Sequence, residues 1–127
     1  MSQVVYKAIH PIGESNPLDM PVRNIDTAGV WYEMRLEFRS IDRDQNRRTL
    51  RMMRDDVVLE LAENGRDPEQ ESCYIEVSDV EAARIELDQH ETNPTEIRDE
   101  KYGDANYRVF FIRDPDGLCY CIGQKQP

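Results

Sequence analysis

Apolar and polar positions along this chain fall into two stretches that repeat one pattern. In the first, Leu18, Met20 and Val22 alternate with polar or turn-forming neighbours after Pro17, which predicts a short strand over residues 18–22. Asn24 then offers a side-chain oxygen to cap a helix, and Ile25, Ala28, Trp31, Tyr32 and Arg35 recur at helical spacing until Arg35 or Leu36. Strands are predicted over residues 38–41, 49–53 and 57–61, separated by polar turns at residues 42–47 and at Asp55-Asp56. This stretch is β-α-β-β-β.

Residues 64–71, NGRDPEQE, combine Gly, Pro and charge with nothing to bury, and form a linker. The order then restarts. Residues 72–77 predict a strand, Asp79 a helix cap, and Val80, Ala83, Ile85 and Leu87 one apolar helix face. Ile97 sits in a weak edge strand, residues 107–112 form a strong one, Asp114-Pro115-Asp116-Gly117 is a turn, and residues 118–122 close the chain's last strand. Val22-Arg23-Asn24-Ile25 lies over Val77-Ser78-Asp79-Val80, so strand end, cap and helix start coincide in the two halves. The reading is one domain over 1–127, with modules at about 17–63 and 72–124.

The segments Pro21-Val22-Arg23-Asn24-Ile25-Asp26, Trp31-Tyr32 and Leu36-Glu37-Phe38, with Phe111-Ile112-Arg113-Asp114-Pro115-Asp116-Gly117 near the end, resemble signatures of the vicinal oxygen chelate superfamily. This is the group of glyoxalases, bleomycin resistance proteins and extradiol dioxygenases. Glu37 departs from the glycine usual there. The resemblance implies an α+β fold of two βαβββ modules whose mixed sheets curl around a cavity, and a homodimer.

The composition narrows the partners. Lys and Arg number 16 against 26 Asp and Glu, a formal charge of −10, which argues against a protein that tracks nucleic-acid phosphates. No apolar stretch approaches the roughly 20 residues of a membrane span, and the N-terminus lacks the apolar core of a signal peptide. Cys73, Cys119 and Cys121 are an odd set without metal-knuckle spacing, as expected of reduced thiols in a cytoplasmic protein.

Alternation along strands assigns the cavity lining. If Leu59 and Leu61 face the core, Glu60 faces the cavity; Ile75 and Val77 likewise send Ser72, Tyr74 and Glu76 inward, and Tyr120 and Ile122 send Cys119 and Cys121 inward. In the first strand Pro17, Asp19 and Pro21 face the cavity. The four positions at which metal-dependent members of the resembled family place His or Glu fall on Pro17, Glu60, Ser72 and Cys121, and only Glu60 is a usual ligand. No metal or other cofactor is therefore expected, although Glu60, Cys119 and Cys121 offer a salvage site for zinc. His90 falls in the last turn of the second helix, where a positive charge suits the dipole. His10 is either solvated or carried over the cavity by an N-terminal arm. Glu60 is either a functional carboxylate, a base if this is an enzyme, or a partner of an arginine such as Arg51 or Arg108. Trp31 and Tyr32 are read as helix packing.

The leading functional expectation is a protein of the bleomycin-resistance type that binds a small cationic or polar molecule without a catalytic metal, using Asp19, Glu60, Ser72, Tyr74, Glu76, Cys119 and Cys121. The alternative is a lyase or isomerase of the glyoxalase type with Glu60 as base or metal ligand. A structural or regulatory partner domain is a third possibility.

Overall fold

Asn24 and Asp79 cap the two helices as their positions predict. Each accepts through its side chain from a backbone N–H three residues on, Thr27 at 3.0 Å and Ala82 at 3.1 Å, satisfying a donor the helix cannot. These contacts come from a computed structural model that describes residues 3–127. Its elements are β1 (Tyr6–Pro11), β2 (Met20–Pro21), α1 (Ile25–Leu36), β3 (Arg39–Asp44), β4 (Thr49–Arg54) and β5 (Val57–Ala62). A single 3-10 turn (Pro68–Gln70) leads to β6 (Ser72–Val77), α2 (Val80–Gln89), β7 (Arg98–Tyr102), β8 (Ala105–Arg113) and β9 (Cys119–Lys125).

The strands form two open mixed sheets with one internal order. The first is β2-β5-β4-β3 and the second β6-β9-β8-β7, with the β2–β5 and β6–β9 pairs parallel and the remaining pairs antiparallel. β1 adds a fifth strand to the second sheet, antiparallel to β6. None of the helices is long and apolar enough to cross a membrane among the described residues.

One core joins the two halves. Ile25, Tyr32 and Leu36 of α1 are buried together with Val80, Ala83 and Leu87 of α2, Leu59 and Leu61 of β5, and Phe110, Tyr120 and Ile122 of the second sheet. Each large side chain buried in this way contributes about 1.5–3 kcal/mol relative to exposure. Tyr32 carries the polar link across the halves. Its hydroxyl donates to Asp114 Oδ2 at 2.8 Å and lies 2.6 Å from the Tyr120 hydroxyl, while Asp114 Oδ1 accepts from the Asp116 and Leu118 N–H groups. The Asp-Pro-Asp-Gly turn is therefore a structural anchor, with Gly117 supplying its positive φ of 97°. Buried Arg54 ties β4 to α2 through Glu86 at 2.8 Å and to the end of α1 through the Leu36 carbonyl, with its guanidinium 3.8 Å above the Tyr6 ring.

Three expectations change. β1 is an additional strand: Tyr6 fills the core, and this order extends to His10 in the segment expected to be irregular. The predicted strand over residues 18–22 shrinks to Met20–Pro21, with Leu18 exposed in a turn whose Leu18 N–H donates to Asn16 Oδ1 and whose Asp19 N–H donates to the Asn16 carbonyl, both at 2.9 Å. Ile85 is also exposed; a helical step puts it about 140° round from Val80, off the buried face.

Candidate functional site

The second sheet presents its helix-free face as an open groove of about 1060 Å³, lined by β1, β6, β7, β8, β9 and the C-terminal residues. Alternation explains the lining. Ile75, Val77, Phe110, Ile112, Tyr120 and Ile122 point into the core, so Tyr74, Glu76, Tyr107 and Cys121 point the other way.

Aromatic rings dominate the wall. Tyr107 meets Tyr74 edge-on at 5.8 Å and Tyr102 at 5.5 Å, and His10, opposite Tyr74 in the β1–β6 ladder, lies nearly parallel to the Tyr74 ring at 6.3 Å. Four rings from four strands thus share one surface. Tyr74 is held in place from two sides. Its hydroxyl donates to Glu76 Oε1, and beneath the ring Gly123 of β9 offers no side chain to lift it. Burial, with Glu76 beside it, raises the Tyr74 pKa well above the ordinary tyrosine value. It is a neutral hydroxyl at physiological pH.

Cys121 forms part of the floor, and burial pushes its thiol up to about 12, so it is a packed wall and a poor nucleophile. Glu76 accepts from Tyr74 and, through Oε2, from the Lys125 backbone N–H at 3.1 Å. The lysines at the same end, Lys7 of β1 and Lys125 of β9, form no ion pair among the described residues.

Of the seven ligand-binding residues expected from the sequence, the groove contains Tyr74, Glu76 and Cys121. The other four lie elsewhere in the single chain. Glu60 stands in the first sheet, paired with Arg51 at 3.1 Å across the β4–β5 ladder, which is the arginine-partner alternative. Asp19 is held by Arg66 at 2.7 Å and Asn64 at 3.0 Å, and these bonds lower its pKa. Ser72 and Cys119 face each other in the β6–β9 ladder near the far end, where the Ser72 N–H donates to Ser15 Oγ. Burial raises the Cys119 thiol as well. Glu60 is thus on a different sheet from Cys119 and Cys121, and the salvage set is not assembled within one chain.

His10 reaches a groove, as the arm alternative allowed, but beside Tyr74 and not beside Glu60. Tyr102, Tyr107, Lys7 and Lys125 join the lining beyond the residues expected from the sequence. Parity from Phe110 and Ile112 would have found Tyr107; the others lie in β7 and β1, or beyond the expected end of the last strand.

Among the described residues, one group could hold a metal ion: Glu37, Glu86 and His90, with ligand atoms within 4.8 Å of one another. It lies between the C-terminal ends of α1 and α2, apart from the groove. His90 Nδ1 contacts the Arg35 carbonyl at 2.9 Å, and Glu86 is committed to the Arg54 guanidinium.

No family model matches the chain, and no curated protein matches it. Solved structures do. TnmS3, an antibiotic binding protein from a Streptomyces species, superposes with a TM-score of 0.73 at 19% identity over 91% of this chain and 98% of its own. The bleomycin resistance determinant encoded on transposon Tn5 gives 0.70 at 21% identity, over 88% and 98%. A bleomycin-binding protein from Streptomyces verticillus, solved with copper(II)-bleomycin, gives 0.70 at 19% identity, over 91% and 98%.

Proposed function

Because the chain has the glyoxalase-like fold of the vicinal oxygen chelate proteins, we propose that it binds a small planar aromatic molecule in the groove of its five-stranded sheet. The observation that carries this reading is the cluster of Tyr74, Tyr102, Tyr107 and His10 on one concave surface. Rings held edge-on to one another leave faces and edges for a flat ligand, and each aromatic pair is worth about 0.5–1.5 kcal/mol beyond the area it buries. A concave, mostly apolar site with a few polar groups suits small-molecule capture. The two solved neighbours named for antibiotic and bleomycin binding agree with it.

Binding in this reading needs no metal and no base. Tyr74 and Cys121 stay protonated, Glu76 fixes Tyr74, and the groove works by shape and stacking. Glu60, Asp19, Ser72 and Cys119 are outside the groove, so the proposed contacts are Tyr74, Tyr102, Tyr107, His10, Glu76 and Cys121.

We also propose a cytoplasmic homodimer. Its support is the uncovered face of the first sheet, where half-buried Met53 and Val58 pair across the ladder beside the Arg51–Glu60 ion pair. A second copy would cover this apolar pair. Sedimentation at micromolar concentration should give a species of twice 14.9 kDa, and a monomer alone would contradict it.

The test of the binding reading is a fluorescence titration with 1-pyrenemethanol, a neutral flat probe. Wild type should bind, and Tyr74→Ala and Tyr107→Ala should each weaken binding by roughly two- to tenfold while thermal melts stay cooperative. Equal affinity in all three proteins would remove the groove from the account.

A further inference from the structure

We propose that the ligand of this groove carries an anionic group, read by Lys7 and Lys125. This rests on the groove being the binding site and adds the charge of what it holds. The chain as a whole bears −10, and a cationic ligand is the expectation from that charge. The groove differs from the surface around it.

The acids that suggested a cationic ligand are all engaged. Asp19 is bonded to Arg66 and Asn64, and Glu60 is paired with Arg51 on the other sheet. Glu76, the acidic side chain of the groove wall, accepts from the Tyr74 hydroxyl through one oxygen and from the Lys125 N–H through the other. Each oxygen holds one donor from the chain itself, which fixes the carboxylate against Tyr74 and the β9 backbone.

The two lysines of the groove are in the opposite condition, unlike arginines elsewhere in the chain. Arg51, Arg54, Arg66 and Arg108 all sit against carboxylates. Lys7 and Lys125 line the groove without an ion pair among the described residues.

Register places them together. Ala8 is opposite Glu76, and Glu76 is opposite Gly123. Lys7 precedes Ala8 on a strand antiparallel to β6, and Lys125 follows Gly123 on one parallel to it. Both therefore lie toward the C-terminal end of β6, on strands about 10 Å apart with β6 between them. Their flexible stems can lie along the Tyr74–Tyr107 wall while two ammonium groups converge on one end of a bound ring. A flat ring with a carboxylate, sulfonate or phosphate at one edge matches that arrangement.

The experiment uses three probes on one ring: 1-pyreneacetate, 1-pyrenemethanol and 1-pyrenemethylamine. Each is titrated into the full chain at low and at high salt. The acetate should bind tightest and the ammonium weakest, the anion exceeding the neutral probe by roughly two- to fivefold for each lysine engaged. High salt should shrink the difference. In the Lys7→Gln/Lys125→Gln double variant, the ratio of anion to neutral affinity should fall to about one, with folding checked by melts. Equal binding of the three probes by wild type, or preference for the ammonium, overturns the anionic reading and leaves the aromatic groove standing. An unchanged ratio in the double variant overturns the assignment to these lysines. Failure of all three probes to bind overturns the groove itself.

Discussion

Gly123 lies beneath the ring of Tyr74. A β-carbon at 123 would stand 3.1 Å from Tyr74 Cε1, 2.6 Å from Val109 Cγ1 and 2.8 Å from the Arg108 carbonyl oxygen. The backbone contact cannot yield as a flexible side chain could, so Gly123→Ala must push β9 from β8 or lift the tyrosine. The expected outcome is a loss of about 1–3 kcal/mol in urea unfolding, together with weaker binding of 1-pyrenemethanol. An alanine variant with wild-type stability and wild-type affinity would show that the floor is not tight.

Asp114 makes a pH signature. Burial raises its pKa, so the folded chain keeps this proton to higher pH than the unfolded chain does. Its contribution is fully present below the unfolded value of about 4 and is lost as pH rises through the folded value. Asp114→Asn retains an oxygen for the Asp116 and Leu118 N–H groups and removes the titration. Urea unfolding of both proteins between pH 4 and pH 7 should show any advantage of wild type over Asn shrinking as pH rises. A growing advantage would contradict the raised pKa.

Much of this fold is legible in the sequence because its signals are local. Asn24 and Asp79 are caps followed by helical spacing, and residues 72–77 alternate cleanly. The Asp-Pro-Asp-Gly turn could be placed without revealing that Asp114 anchors Tyr32 from the other half, since that bond spans a separation of 82 residues. The site is less legible. Parity correctly turns Tyr74, Glu76 and Cys121 away from the core, but it cannot tell which sheet faces share a cavity, and Glu60 and Tyr74 belong to different sheets. The β1 strand was hidden by Pro11 and Gly13, and the charged run RDEKY of β7 gives no apolar period from which Tyr102 could be assigned.

Cys121 tests the environment of the groove chemically. With its thiol at about 12, almost none is thiolate at pH 8. Alkylation by iodoacetamide, followed by peptide mass spectrometry, should be far slower at Cys121 in the native chain than in urea. Comparable rates would mean an exposed, water-filled floor in place of a packed one.

The most direct measurement is a map of backbone amide shifts in isotope-labelled protein as 1-pyrenemethanol is added. The account predicts the largest changes at His10, Tyr74, Tyr102, Tyr107 and Cys121, with the β3–β5 ladder around Arg51 and Glu60 nearly silent. Changes centred on Glu60 and Asp19, with Tyr74 and Tyr107 unmoved, would contradict it.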